Sequence, residues 1–249
     1  MIRVQACGVL LDIEGTTSSV QFVYTVLFNY ARQQLDGYLR SHWDTDALAA
    51  ARELIAREAG GESFARWTHN EPRQQAREQL RREVLRLMDR DAKTTGLKQL
   101  QGLVWEEGFQ AGKLRGHIYP DVPPALRRWT DAGLPIRIYS SGSIAAQRLF
   151  FAHTETGDLS EFFQGHYDTT TGPKQSPESY AKIATDWGLP PAAIVFLSDV
   201  PAELDAARTA GFQTALVVRG ENPPAAAESI HPMIHDFSEV ELAAGNERE

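Results

Sequence analysis

Short apolar runs, each stopped by a polar turn, recur along the chain. Gly8-Val9-Leu10-Leu11-Asp12 is the first. Pro135-Ile136-Arg137-Ile138-Tyr139-Ser140, Ala193-Ile194-Val195-Phe196-Leu197-Ser198-Asp199 and Gln213-Thr214-Ala215-Leu216-Val217-Val218 follow. Unbroken runs of this length suit strands buried on both faces of a parallel sheet. Each adjoins a helical pattern, and that alternation predicts βαβ units. Between the first run and the second the pattern changes. Val20, Val23, Tyr24, Leu27, Ala31, Leu35 and Tyr38 recur at helical steps, with Ser18 or Ser19 as cap. Ala76, Leu80, Val84, Leu87 and Met88 mark a second helix, and Leu97, Leu100, Val104 and Gly108 a third. The expected class is α/β. An all-helical cap, residues 17–115, is inserted after the first strand of a parallel-sheet core formed by residues 1–16 and 116–249.

Composition narrows the function. With 42% apolar and 23% charged residues in 249, the chain has the makings of a large core rather than a disordered segment. Lys plus Arg number 25 against 33 Asp plus Glu, a net charge of −8, which argues against nucleic acid as the main partner. The single cysteine, Cys7, excludes an internal disulfide framework and reads as a small packed side chain. No apolar run reaches the ~18–20 residues a membrane span needs, and the N-terminus does not read as a signal peptide. The expectations are no membrane partner, a cytoplasmic address and, from the acidic surface and the absence of heptads, a monomer. Residues 223–227 read as a surface loop and 245–249 as a frayed end.

Four segments at the carboxyl ends of the expected strands carry the chemistry, at the edge where open α/β sheets bind ligands. In Asp12-Ile13-Glu14-Gly15-Thr16-Thr17, Asp12 is placed as a nucleophile towards phosphorus and Glu14 as the acid and base beside it. The alternative is a plain strand-end turn. Ser140-Ser141-Gly142-Ser143 offers hydroxyls and amides at a strand-to-helix junction, a phosphate site or a simple cap. Lys174 is either a surface lysine or an ammonium between nucleophile and phosphate. Asp199 either joins Asp12 around a hard dication such as Mg²⁺ or caps a helix over residues 201–209. Glu203 reads as an exposed helix position. Four such signals in one order, each after a strand of one sheet, favour a shared site over independent turns.

These segments resemble the four motifs of the haloacid dehalogenase (HAD) superfamily, and the insertion resembles its first type of cap. Glu14 stands where most HAD phosphatases carry a second Asp. Together with Tyr139-Ser140-Ser141-Gly142-Ser143, the stretch from Lys93 to Gly102 and Phe196-Leu197-Ser198-Asp199-Val200, it is similar to the acireductone synthase (enolase-phosphatase) family. The resemblance spans residues 8–220. It implies an HAD-like Rossmannoid core. It implies one Mg²⁺ per chain held by Asp12, Asp199 and the backbone carbonyl of Glu14. Ser140 and Ser141 are implied as phosphate ligands, and Lys174 as a contact to substrate and nucleophile. The implied substrate is 2,3-diketo-5-methylthiopentyl-1-phosphate, enolised and then dephosphorylated to the acireductone of methionine salvage. The base for enolisation stays open; Glu14, one methylene longer than Asp, is one candidate. The alternatives are a phosphatase for another small metabolite, a metal-free dehalogenase and a silent binding protein.

Other features carry less. Gly108-Phe109-Gln110-Ala111-Gly112-Lys113-Leu114 is one residue short of a P-loop and lacks the Ser or Thr after Lys, so it reads as the end of a cap helix. Two arginine rows, Arg73-Arg77-Arg81 and Arg82-Arg86-Arg90, interleaved with acids, read as a solvated helix face. The seven histidines lack zinc spacing. His69 reads as a surface or packing residue, and Lys93 and Lys98 are candidates for recognising the diketone.

Overall fold

Gly8, Val9, Leu10 and Leu11 are all buried, and Ile194–Ser198 is buried throughout as well, so both runs form inner strands. The structure is a computed structural model; it describes residues 1–222 and 229–244. The expected surface loop at 223–227 and the expected frayed end at 245–249 lie outside the described residues. In chain order the elements begin with β1 (Ile2–Ala6), β2 (Gly8–Leu11) and a short α1 (Val20–Phe22). A π-helical stretch, Val23–Leu27, leads into α2 (Phe28–Ser41), α3 (Asp46–Glu58), α4 (Phe64–Trp67), α5 (Arg73–Asp89) and α6 (Thr95–Gln110). Then come α7 (Val122–Asp131), β3 (Ile136–Tyr139), α8 (Ile144–Ala152), β4 (Phe163–Tyr167), α9 (Pro177–Trp187), β5 (Ile194–Ser198), α10 (Pro201–Thr209), β6 (Gln213–Val217), β7 (Met233–Ile234) and β8 (Val240–Ala244).

The chain divides into two compact units, Met1–Phe22 with Arg115–Glu249, and Val23–Leu114. The first holds a six-stranded parallel sheet in the order β4-β3-β2-β5-β6-β7, and a separate parallel pair, β1 with β8. Residues 17–19 stay with this unit because they are tied to it. The Thr17 hydroxyl donates to the carbonyl of Asp12, and the Ser19 amide donates to His117 Nδ1. One layer of its core packs Leu10, Tyr139, Tyr180, Phe196, Leu204 and Phe212 together.

The second unit is all-helical among its described residues. Its core joins Leu35 and Leu39 of α2, Leu48 and Ile55 of α3, Leu80 and Val84 of α5, and Leu97 and Val104 of α6. Close approach of α3 and α6 explains Gly96: a Cβ there would lie 2.7 Å from both Ile55 Cγ1 and the Ile55 amide nitrogen. The helix expected from Val20 to Tyr38 is not continuous. The π turn shifts the face, so Leu27, Ala31, Leu35 and Tyr38 are buried while Tyr24 is 50% exposed. Within the arginine rows, Arg81 and Arg82 pair with Glu78 and Arg86 with Glu83. Lys93 pairs with Asp91 at 2.6 Å, and His69 is exposed. Among the described residues no helix is long and apolar enough to cross a membrane.

Candidate active site

The strand order puts the end of β2 between the ends of β3 and β5. Leu11 is in register with Ile138 on one side and Leu197 on the other, so Asp12 emerges beside Ser198. The turn after it is tight: the carbonyl of Ile13 accepts from the amides of Thr16, Thr17 and Ser18. Gly15 adopts φ +76° within that turn, a conformation that L side chains rarely take.

Asp12 is buried and meets Lys174 Nζ at 2.7 Å through Oδ1; its Oδ2 accepts from Ser198 Oγ at 3.4 Å. The same Nζ lies 2.6 Å from Glu203 Oε2. Lys174 is therefore no surface lysine. It is held by its own backbone, whose carbonyl accepts from Tyr180 Oη at 2.7 Å, while Tyr139 Oη binds the carbonyl of Gly172 at 2.9 Å. Burial acts to lower the lysine's pKa, but Asp12 and Glu203 outweigh it and hold the ammonium charged, well above the usual lysine value.

Glu203 corrects an expectation. It is buried, not exposed, and also accepts from Ser198 Oγ at 3.1 Å. Its one sequence signal is its place in the first turn of α10, where it lies one helical turn beyond Asp199. Burial first, and then the charge of Asp12, push its carboxyl up to about 7.

Asp199 does not cap α10; Val200 stands at the cap position, without a side-chain hydrogen bond. The Asp199 amide donates to Thr16 Oγ1 at 3.0 Å. Its Oδ1 is buried without a hydrogen-bond partner, and its pKa is pushed up to about 7 by burial and then by Asp12 and Glu203. A Cβ on Gly15 would come 2.1 Å from Asp199 Oδ2, so only glycine lets this carboxylate pack against the turn.

On the other side, Glu14 Oε2 accepts from Ser140 Oγ at 3.1 Å. Burial and the neighbouring Asp12 raise the Glu14 pKa, which favours the protonated acid. Ser140 is buried and Ser141 exposed. Ser143 does cap α8, accepting from the amide of Ala146 at 3.3 Å. The junction is less open than expected, because the amide of Gly142 donates to Ser140 Oγ and that of Ile144 to Asp168 Oδ2. Asp168, at the end of β4, gave no signal in the sequence.

Asp12, Glu14, Ser140, Lys174 and Asp199 thus gather at one sheet edge, joined by Ser198 and Glu203. The donors suit a hard dication. Two carboxylates, Asp12 and Glu203, face one ammonium, and one oxygen of a third, Asp199, is buried and unpartnered. No cluster of three His, Cys, Asp or Glu side chains that could hold a metal occurs among the described residues. The two are compatible, since Mg²⁺ is bound by one or two carboxylates and completed by water and phosphate.

Residues 8–211 match the haloacid dehalogenase-like hydrolase family. The enolase-phosphatase E1 of Klebsiella oxytoca is 42% identical over 237 residues, covering 94% of this chain and 96% of its own. That of Azotobacter vinelandii is 44% identical over 242 residues, covering 95% and 98%. The chain belongs to the enolase-phosphatase E1 family of haloacid dehalogenase-like hydrolases. Its fold agrees. The UTR4 protein of Saccharomyces cerevisiae superposes with a TM-score of 0.77 at 30% identity, covering 94% of this chain and 99% of its own. The Glu14-for-Asp exchange and the segment from Lys93 to Gly102 are thus features of a haloacid dehalogenase-like chain whose relatives are enolase-phosphatases.

Proposed function

We propose that this protein is a Mg²⁺-dependent enolase-phosphatase that converts 2,3-diketo-5-methylthiopentyl-1-phosphate to the acireductone and phosphate. The observation that carries the reading is the buried Lys174 ammonium between Asp12 and Glu203, beside the unpartnered oxygen of Asp199. A Mg²⁺ held by the carboxylates of Asp12 and Asp199 and the carbonyl of Glu14 would neutralise the phosphate and polarise a substrate oxygen.

Asp12 is the nucleophile. One of its carboxylate oxygens attacks phosphorus, and the bond from phosphorus to the ester oxygen breaks. Lys174 keeps the attacking carboxylate oriented and offsets repulsion between two anions. Ser140 and Ser141 bind the phosphate oxygens. Glu14, whose pKa burial and Asp12 raise in favour of the acid, gives its proton to the leaving oxygen. It then takes a proton from the water that attacks the aspartyl-phosphate, which releases phosphate and restores Asp12. Enolisation comes earlier, and its base must remove a proton from carbon beside a carbonyl. Glu14 can take that proton only from its ionised fraction, and it then carries the proton that it later gives to the leaving oxygen.

The test supplies the diketone phosphate with Mg²⁺ or with EDTA and follows enol absorbance and phosphate together. Metal-dependent production of both is expected. Asp12→Asn should fold and lose phosphate release while Glu14→Asp slows enolisation. Wild-type phosphate release by Asp12→Asn, or brisk hydrolysis of unrelated esters with poor turnover of the diketone, would replace this reading.

A further inference from the structure

Arg219, just past β6, is buried to 6% exposure and fully engaged. Its Nη1 meets both oxygens of Asp121 at 2.9 Å. Its Nε and Nη2 donate to the carbonyl of Thr16 at 3.0 and 2.8 Å. The guanidinium lies 4.2 Å from the ring centroid of Tyr119 and 5.0 Å from that of Phe237. Asp121 is fixed in turn, accepting from the amide of Phe237 at 2.8 Å. Two further residues of the same segment hold the same turn. Glu221 accepts from the Ser19 hydroxyl, and Asn222 Nδ2 donates to the carbonyl of Gly15 at 2.9 Å. Residues 219–222 therefore grip residues 15–19 at three points.

The grip extends to Asp199. The peptide of Thr16 that Arg219 holds belongs to the residue whose hydroxyl accepts from the Asp199 amide at 3.0 Å. Gly15, held by Asn222, is the residue against which the Asp199 carboxylate packs. A buried ion pair is a poor source of stability compared with apolar packing, so a fully satisfied Arg219–Asp121 pair suits a role in fixing geometry. A lysine at this position would keep the charge and lose the fork that spans two acceptors.

We propose that Arg219 is a positioning residue: through Thr16 it sets where Asp199 stands relative to Asp12, and so tunes the affinity of the site for a divalent cation. This rests on the reading of that pair as Mg²⁺ ligands, and the test separates the two. Mg²⁺ binding to the intact protein is measured by titration calorimetry for wild type, Arg219→Lys, Thr16→Val and the double variant, with thermal unfolding recorded for each. Groups behind metal ligands typically contribute 10–100-fold in affinity, so each single variant should raise the Mg²⁺ dissociation constant about 10-fold or more. The double variant should do no worse than the weaker single one, because both act through one linkage. A lower melting temperature with unchanged Mg²⁺ affinity would make Arg219 purely structural and overturn the proposal. Additive losses would overturn the route through Thr16. Should Arg219→Lys fail to fold, Thr16→Val alone decides, since unchanged affinity there removes the link to Asp199. A wild-type protein that takes up no Mg²⁺ would overturn the metal reading, and the positioning role with it.

Discussion

Replacing Lys174 by Met tests the charge arrangement of the site most directly. Met is similar in length and flexibility, and it removes one charge and its donors. The lysine nitrogen stands 2.7 Å from Asp12 and 2.6 Å from Glu203, with only 8% of the side chain exposed. Without it, two buried carboxylates face each other across the Ser198 hydroxyl. Removing one partner of a buried pair costs about 3–5 kcal/mol. The carboxylates relieve part of this by keeping a proton between them. Glu203 is already pushed up to about 7, by burial and then by Asp12, and Lys174 is what holds it down. In the variant it rises further. Between the ordinary glutamate value of about 4.3 and that raised value, the folded variant binds a proton that the unfolded chain has released. Stability therefore falls as pH rises through this window and recovers as pH drops. Urea unfolding in EDTA should show a deficit of about 3–5 kcal/mol against wild type at pH 8, and a smaller one at pH 5. Phosphate release should fall by at least about 10²–10³-fold. A variant with the wild-type midpoint at pH 8, or a deficit that does not shrink at pH 5, would refute the reasoning.

Two further outcomes follow from single positions. Gly15→Ala places a Cβ at φ +76°, 2.1 Å from Asp199 Oδ2, and should weaken Mg²⁺ binding about 10-fold or more without changing the circular dichroism spectrum; calorimetry checks it. His166 is held neutral, its pKa pushed down to about 4 by burial and then by Arg148. The unfolded chain, titrating near 6.5, binds a proton there that the fold excludes, so stability present above pH 6.5 is lost on the way to pH 4. His166→Gln should flatten that loss by about 1 kcal/mol, a figure reduced because the ring is only half buried, and parallel melting curves for the two proteins would contradict it.

What the sequence disclosed depended on where each element lies. β5 was legible because Ile194–Ser198 is buried throughout and reads as one apolar run. β4 was not, since it is an end strand of the sheet and Gln164, Gly165 and His166 dilute its pattern. β1 alternates half-buried and exposed positions up to Ala6, pairs with the distant β8, and gives no separate signal. In the helical unit α3 is not among the expected helices, although Thr45 accepts from the amide of Leu48 as its cap and Leu48, Ala51 and Ile55 share its buried face. The site divides in the same way. Asp12, Ser140 and Asp199 are readable because each directly follows a strand, and Lys174 because it lies just before a helix. Glu203 and Arg219 are not, because their burial depends on partners brought by other strands: Lys174 for one, Thr16 and Asp121 for the other.

The same topology explains how the proposed nucleophile and acid can stand two residues apart and how a helical unit can be inserted just after them. β2 lies between β3 and β5, so the residues leaving it have different neighbours on each side. Asp12 turns to the β5 side, where Ser198 and the Lys174 ammonium meet it. Glu14 turns to the β3 side and accepts from the Ser140 hydroxyl, and burial and Asp12 outweigh what Lys174, the backbone and Ser140 do to lower its pKa. A carboxyl favoured as the acid, beside one ion-paired to an ammonium, is what acid-assisted displacement requires. The chain then secures itself before departing. Thr17 and Ser19 are bonded to Asp12, Ile13 and His117, and the returning segment is bonded at the same place, with the Tyr119 amide on the carbonyl of Thr17 at 3.1 Å. Departure and return are thus stitched side by side within the sheet unit. Closure entropy grows only slowly with the length of chain between two such points, so an insertion of this size costs little more to close than a short loop would.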